Sequence, residues 1–269
     1  MRMDILYVIG KGSQKNNLEL RMSLRSLIKY GKNIGKVIVV GKPPKWLSDE
    51  ALKLDVTDLY SYKHQNILYC IEKAIEANLV KGDFLYSSDD HFYVKPVDFG
   101  DYPYYVKGAL RYSVDRVDPH YEYHRSLYDT RLFCVKHGFP TMNYSQHCNT
   151  HMHTEVFRRI LSLIHESYKL PYGVEPTSFI MNAWQTMPSP PTVIKREDLK
   201  IQNAKNVADI YSQIGERDCF SISDRLFRSQ AIFDFFDQEY PYSSPFENDV
   251  KTSSEKSLCP LDLRYPSML

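Results

Sequence analysis

The chain predicts an α/β fold, with a mainly parallel sheet flanked by helices and a more helical C-terminal part. Two observations carry this. The runs DILYVIG (4–10), KVIVVG (36–41) and DFLYSS (83–88) are almost wholly apolar and end in Gly or Ser, as strands covered on both faces do. Between them lie stripes of apolar residues at helical spacing. Strand and helix alternating in this way give parallel pairing with right-handed crossovers.

In chain order, the first strand is followed by Leu20, Leu24, Leu27 and Ile28, one helical face, with Gly31 just beyond it. After the second strand, Pro43-Pro44 breaks the chain and WLSDEALKL (46–54) is at most a short helix. TDLYSY (57–62) reads as a weaker third strand. Ile67, Ile71, Ala74 and Ile75 form the next helical stripe, and DFLYSS is the fourth strand. The segment 95–150 mixes strands and loops and is rich in Tyr and His. Val156, Ile160, Leu163 and Ile164 then share a helical face. PTSFIMNAWQTM (176–187) and SDRLFRSQAIFDFFDQEY (223–240) read as helices, the latter capped by Ser223. From Pro241 onward there is no periodicity, and 241–269 reads as an extended tail.

With 269 residues, 43% hydrophobic and 25% charged, the chain has an ordinary soluble composition and can bury a full core. A net charge of +1 gives no global attraction to nucleic acid or acidic membranes. Charge does gather locally at Arg21, Arg25, Lys29, Lys32, Lys36, Lys42 and Lys45. Five cysteines without paired spacing argue for a reducing compartment and against a zinc ribbon. No run is long enough to be a membrane span or a secretion signal, so a cytoplasmic protein is expected. The absence of GxGxxG and of a P-loop gives no support to dinucleotide or ATP binding. The 21 tyrosines suit sugar or base surfaces, although most of them serve equally well in a half-wet core.

The sharpest feature is Asp89-Asp90, at the end of the fourth strand. Adjacent carboxylates repel, and each costs free energy to desolvate. A hard divalent cation removes both objections, because Mg²⁺ or Mn²⁺ takes one or two carboxylates together with substrate phosphates. In open α/β sheets ligands sit beyond the carboxyl ends of the strands, where this pair lies. The alternative is a surface turn bearing two solvated aspartates.

The stretch YKHQNILYCIEKAIEANLVKGDFLYSSDD (62–90) resembles the segment before the metal-binding Asp motif of nucleotide-sugar glycosyltransferases of the GT-A fold. The resemblance implies that Asp90 ligates Mn²⁺ or Mg²⁺ and that Asp89, with Ser88 beside it, approaches the donor. It also implies that Lys63 and Asn66 contact the nucleotide, a uridine diphosphate sugar being the first expectation. It further implies a third metal ligand from a His beyond the motif, a role matched best by His151. A carbohydrate or other hydroxyl acceptor follows from it. Residues 1–240 would then form one catalytic domain, its nucleotide-binding half at about 1–100 and its acceptor half at about 101–240.

LELRMSLRSLIKYGKNIGKVIVVGKPPKWLS (18–48), DFLYSSDDHFYVKP (83–96) and, more faintly, THMHTEVFRRIL (150–161) are similar to blocks of the Stealth family, which transfers sugar-1-phosphate groups. That likeness makes Arg25 a phosphate contact, a task its planar fork suits. Ser88 stands where that family carries Asn, and its Asp-containing strand ending in Trp-Val has no counterpart here. Glycosyl transfer is therefore preferred to sugar-phosphate transfer. A noncatalytic sugar- or nucleotide-binding module is the reading from another class. A nucleic-acid acceptor is compatible with the basic N-terminal patch but gains nothing from the net charge.

The cluster HCNTHMHTEVF (147–157) holds His147, His151, His153 and Glu155. With Asn149 or Thr150 as helix cap, His151 and Glu155 share a face one turn apart. Solvated histidines at a helix start are the alternative. Arg21 reads as part of a solvated helix face. An inverting transferase needs a general base, and Glu175, in the turn before Pro176, is the first candidate, with Asp115 and Asp118 competing.

Overall fold

A computed structural model describes residues 1–10, 15–110 and 121–248. Its central sheet has five strands: β1 (Met3–Ile9), β2 (Ile34–Gly41), β3 (Leu52–Asp55), β4 (Asp83–Ser87) and β5 (Thr150–His153). Their order is β5-β4-β1-β2-β3, parallel throughout except for β5, which runs antiparallel to β4. This is the mainly parallel α/β sheet expected from the apolar runs.

Alternation along the strands builds two cores. Ile5, Tyr7, Ile9, Val37, Val39 and Leu85 face α1 (Leu18–Tyr30), where Leu20, Leu24 and Leu27 meet them fully buried. Leu6, Ile38, Val40, Phe84 and Tyr86 face the other way, onto α2 (Lys63–Glu76) and its Ile67, Ile71, Ala74 and Ile75. Each such leucine or isoleucine contributes about 1.5–3 kcal/mol by leaving water, so register and faces are specified together. Gly31 does not end α1 in a left-handed turn. Its φ is −84°, and it is needed because a Cβ would lie 2.5 Å from the Leu27 carbonyl oxygen and 2.7 Å from the Phe99 ring. Gly41, with φ +108°, is the true left-handed position, where a Cβ would strike the Ile9 carbonyl.

Several elements differ from the sequence reading. The third strand is Leu52–Asp55, overlapping the end of the stretch read as a short helix, and residues 57–62 form a loop instead of a strand. Segment 95–150 contains a full helix, α3 (Glu122–Lys136). The helical face of 156–164 belongs to two short helices, α4 (Thr154–Arg159) and α5 (Leu161–Ser167), broken at Ile160 (φ −105°, ψ 15°). α6 (Pro176–Trp184) forms as expected, with Pro in its first turn. Between 223 and 240 a 3₁₀ turn, Leu226–Arg228, precedes α8 (Gln230–Glu239), whose N-cap is Ser229 and not Ser223; the Ser223 Oγ instead accepts from the Leu226 amide at 3.2 Å.

A third core packs α7 (Val207–Ile214) and α8 on a small sheet. In that sheet Cys219–Ile222 pairs antiparallel with Phe92–Tyr93 and parallel with Lys200–Ile201. The chain therefore has ordered pairing on both sides of Asp89-Asp90: β4 before and Phe92–Tyr93 after.

The start of the presumed tail is packed. Phe246 is buried, its carbonyl accepts from the Ser48 amide at 2.8 Å, and the Asn248 amide donates to the Trp46 carbonyl at 2.7 Å. Arg25 grips Glu247 bidentately, with Nε and Nη2 each 2.9 Å from a carboxylate oxygen, and reaches the Tyr240 carbonyl at 3.2 Å. Arg21 stacks on Trp46 at 4.6 Å. No helix among the described residues is long and apolar enough to cross a membrane.

Glu247 is almost wholly buried and without Arg25 would keep only the looser Arg21 pair at 3.5 Å and its bonds from Ser244. Arg25→Met is therefore expected to cost about 3 kcal/mol of stability by removing the bidentate partner of that carboxylate. Urea denaturation measures this, and an unchanged midpoint would show that the clamp contributes nothing net.

Candidate functional site

The carboxyl ends of β1 and β4 open into a cleft of about 750 Å³. Val8, Ile9 and Gly10 form its floor, and the loop 58–61 with the first turn of α2 forms one wall. Ser88, Asp89 and Asp90 project from the end of β4. Glu19 enters from the first turn of α1, Lys200 from the edge strand of the small sheet and Asp224 from the residues just after it. Five carboxylates (Glu19, Asp58, Asp89, Asp90, Asp224) thus share the cleft with two ammonium groups, Lys63 and Lys200.

A chain of hydrogen bonds from the core holds the acidic turn in place. Tyr7 of β1 meets Ser23 of α1 at 3.1 Å, and the Ser23 hydroxyl donates to the His91 carbonyl at 2.6 Å. Ser26 Oγ accepts from the Tyr93 amide at 3.1 Å. The His91 ring, 3% exposed, folds back on the turn. Its Nδ1 accepts from the Ser88 amide at 3.4 Å and lies 3.4 Å from Ser87 Oγ. With Nδ1 accepting, the ring proton belongs on Nε2, which faces Asp90 Oδ1 at 4.0 Å. Burial keeps His91 neutral by lowering its pKa against the opposing pull of Asp90. The other Asp90 oxygen, Oδ2, lies 3.6 Å from Lys200 Nζ.

The two neighbouring carboxylates are driven apart electrostatically. Burial, and then repulsion from Asp90, raises Asp89 to about 6. Burial also works against ionisation of Asp90, but His91, Lys200 and Lys63 outweigh it and lower its pKa. Glu19 is pushed up to about 8 by burial and then by Asp89, Asp90 and Asp224. Such raised carboxylates mark a site with surplus negative potential. The first two turns of α2 run along the same cleft through Lys63, Asn66, Ile67 and Cys70, while the Lys63 amide at the start of the helix donates to Glu122 at 2.9 Å.

This donor set suits a hard divalent cation, since Asp89 and Asp90 offer paired oxygens in a field that favours positive charge. Among the described residues, no group of three or more His, Cys, Asp or Glu stands close enough to hold an ion unaided. A cation here would draw its remaining ligands from water or from an anionic ligand, as Mg²⁺ commonly does.

The structure brings Lys63, Asn66, Ser88, Asp89 and Asp90 together in the cleft and leaves the other described candidates, Arg25, His151 and Glu175, outside it. Asn66 has its carboxamide committed to the wall: Oδ1 accepts from the Leu59 and Tyr60 amides, and Nδ2 donates to the Tyr60 and Tyr62 carbonyls. His151 lies in β5, opposite Leu85, and not at a helix start. Its Nδ1 pairs with Asp83 at 3.1 Å, its Nε2 lies 2.6 Å from the Tyr102 carbonyl, and Tyr104 stacks on it at 3.8 Å. Asp83 begins β4 and Asp89-Asp90 follow its other end, so His151 and the acidic turn do not meet. The cap of α4 is His153, accepting from the Glu155 amide at 3.1 Å, in place of Asn149 or Thr150. Glu175 is 5% exposed and caps α6, its oxygens accepting from the Thr177 and Ser178 amides and the Thr177 hydroxyl. Arg25 is held by Glu247. Asp115 and Asp118 lie outside the described residues.

Glu19, Asp58, Lys200 and Asp224 were missed. Glu19 had a signal, since it follows the carboxyl end of β1 in the region where such sheets place their sites. Lys200 and Asp224 had none, because only tertiary packing brings them here.

No family model matches the chain, and no curated protein matches it in sequence. Among solved structures it resembles a glycosyltransferase involved in glycosylation of the major capsid of PBCV-1, at 11% identity and TM-score 0.42 over 90% of this chain and 100% of that one. It also resembles an active-site mutant of LgtC, at 14% identity and TM-score 0.47 over 87% and 94%. A third is mouse xyloside xylosyltransferase 1, at 11% identity and TM-score 0.42 over 84% and 99%. At these scores the likenesses carry no argument about activity.

Two outcomes follow from buried polar residues outside the cleft, Glu175 and His64. Glu175→Ala is expected to cost about 2–3 kcal/mol, from the lost cap and the buried donors left unpaired. Glu175→Gln should keep any turnover, and a turnover lost in a stable Gln variant would restore Glu175 as a base. His64, buried in the first turn of α2, is lowered to about 3 by burial and then by Lys63. Its folded pKa lies below the unfolded value, so the stability it contributes is present above pH ~6.5 and is lost as pH falls toward the folded value. Between pH 7.5 and 5 the native protein should lose on the order of 2 kcal/mol more than His64→Gln, as read by urea melts at the two pH values.

Proposed function

We propose that the cleft binds a nucleotide-sugar together with Mn²⁺ or Mg²⁺ and that the protein transfers the sugar to an acceptor hydroxyl. The observation that carries this reading is the placement of Asp89-Asp90. They project into a 750 Å³ cleft at the carboxyl edge of a parallel sheet, which Lys63 and Lys200 also line. A diphosphate entering five carboxylates meets repulsion unless a cation accompanies it, and the adjacent pair is built to hold one. The apolar wall of Val8, Ile67 and Cys70, with Tyr60 beside it, offers a surface for the nucleoside.

Asp90, ionised and standing 4.0 Å from the His91 ring, is the principal cation ligand, with Asp89 beside it. When bound, the cation neutralises charge on the departing diphosphate. Lys63 and Lys200 place ammonium groups around that same charge. The bond from the sugar's anomeric carbon to the diphosphate oxygen breaks, the bond to the acceptor oxygen forms, and the acceptor hydroxyl proton is released. Asn66 keeps the loop 59–62 in shape, which holds the wall of the cleft.

The test is hydrolysis of a panel of uridine-, guanosine- and other nucleotide-sugars by metal-stripped protein, with and without Mn²⁺. Metal-dependent release of a nucleoside diphosphate is expected, falling at least about a hundredfold in Asp90→Asn. Release of a nucleoside monophosphate would instead indicate sugar-phosphate transfer. Metal-dependent nucleotide binding without turnover would indicate a binding module. No binding at all would remove the reading.

A further inference from the structure

The two oxygens of Asp90 face unlike neighbours. Oδ1 faces His91, a neutral ring fixed through Ser87, Ser88 and its own backbone carbonyl. Oδ2 faces Lys200, a full positive charge at 3.6 Å. That distance is an ion pair without hydrogen-bond contact, looser than the 2.8 Å pair of Lys107 and Asp198. The Lys200 backbone is fixed: it pairs with Ser221, the Ser221 amide donates to the Leu199 carbonyl at 2.9 Å, and the Ser223 amide donates to the Ile201 carbonyl at 3.0 Å. Its side chain is one-third exposed and has four carbons of flexible stem. An anchored base thus carries a movable charge.

A divalent cation and an ammonium group cannot both stand against one carboxylate oxygen without strong repulsion. Of the two neighbours of Asp90, only Lys200 can yield. The direction open to it is the cleft, which is also where an anionic ligand would enter.

We propose that Lys200 is a built-in counter-cation for Asp90, which gives way to the divalent ion and moves onto the phosphate of the nucleotide. This rests on the reading of Asp90 as a cation ligand. In the absence of nucleotide, Lys200 opposes the cation. In its presence the ammonium gains a new partner and the opposition ends. Cation and nucleotide therefore bind cooperatively, and the coupling is reciprocal. Lys200 is a positioning residue here, acting on the order and strength of ligand binding.

The experiment is titration of free Mn²⁺ by electron paramagnetic resonance against metal-stripped native, Lys200→Met, Lys200→Arg and Asp90→Asn proteins, each with and without uridine diphosphate. Without nucleotide, Lys200→Met should bind Mn²⁺ about tenfold more tightly than the native protein, for a lost repulsion of roughly 1.4 kcal/mol. Uridine diphosphate should tighten Mn²⁺ binding in the native protein and in Lys200→Arg, and much less in Lys200→Met. Lys200→Gln serves in its place if Lys200→Met does not fold. The proposal is overturned if the uncharged variants bind Mn²⁺ no more tightly than the native protein while Asp90→Asn abolishes binding, a result that leaves the cation site standing. Binding that survives in Asp90→Asn overturns the cation reading and this proposal with it.

Discussion

The constraint on which the site depends is like-charge repulsion at the carboxyl edge of the sheet. Asp89 and Asp90 are adjacent, partly desolvated and joined by three further carboxylates. A chain left to itself would turn such a pair out into water. Here the turn is closed by His91, hung from Ser23 and Ser26 of α1, and followed at once by a strand that pairs with Cys219–Ile222. Packing energy from two cores is thus converted into a fixed, unfavourable electrostatic arrangement, as functional sites commonly require.

That arrangement explains a division of labour among the polar groups. Those with a single task in the fold are fully engaged: Asn66 with four backbone groups, Glu175 with the start of α6, Arg25 with Glu247. Two charged groups of the cleft are under-engaged, with Lys200 loosely paired and Glu19 pushed toward its neutral form. Incomplete satisfaction, more than residue type, separates the binding candidates from the structural ones. His151 has a plausible metal-ligand identity, yet it lies between Asp83 and the Tyr102 carbonyl, tying β5 to its surroundings.

Much of the first hundred residues was legible, because buried parallel strands and amphipathic helices each leave a period in the sequence. β1, α1, β2, α2 and β4 all announce themselves in this way, and Asp89-Asp90 follow from the last of them. The third strand was mistaken because Leu52–Asp55 is an edge strand, mostly exposed, with no apolar run to mark it. α3 was missed because Tyr and His dilute its apolar face. Within the site, Asp89-Asp90 were readable from their place at a strand end, and Lys63 and Ser88 followed from the resemblance alone. Lys200 and Asp224 were not, since more than a hundred residues separate them from the motif they join, and no local pattern encodes that meeting. Arg25 and Glu175 were chosen for their chemistry, and the fold uses that chemistry for anchoring.

The cleft is assembled from residues as far apart as Val8 and Asp224. No partial fold of the chain contains it, since the floor comes from the first strand and Lys200 from a strand of a sheet completed only at Ile222. Any ligand of the cleft therefore binds the native state alone, and its binding free energy adds directly to the stability of the whole chain. In a cell, the fraction of this protein that escapes unfolding and proteolysis would rise and fall with the supply of its own ligand.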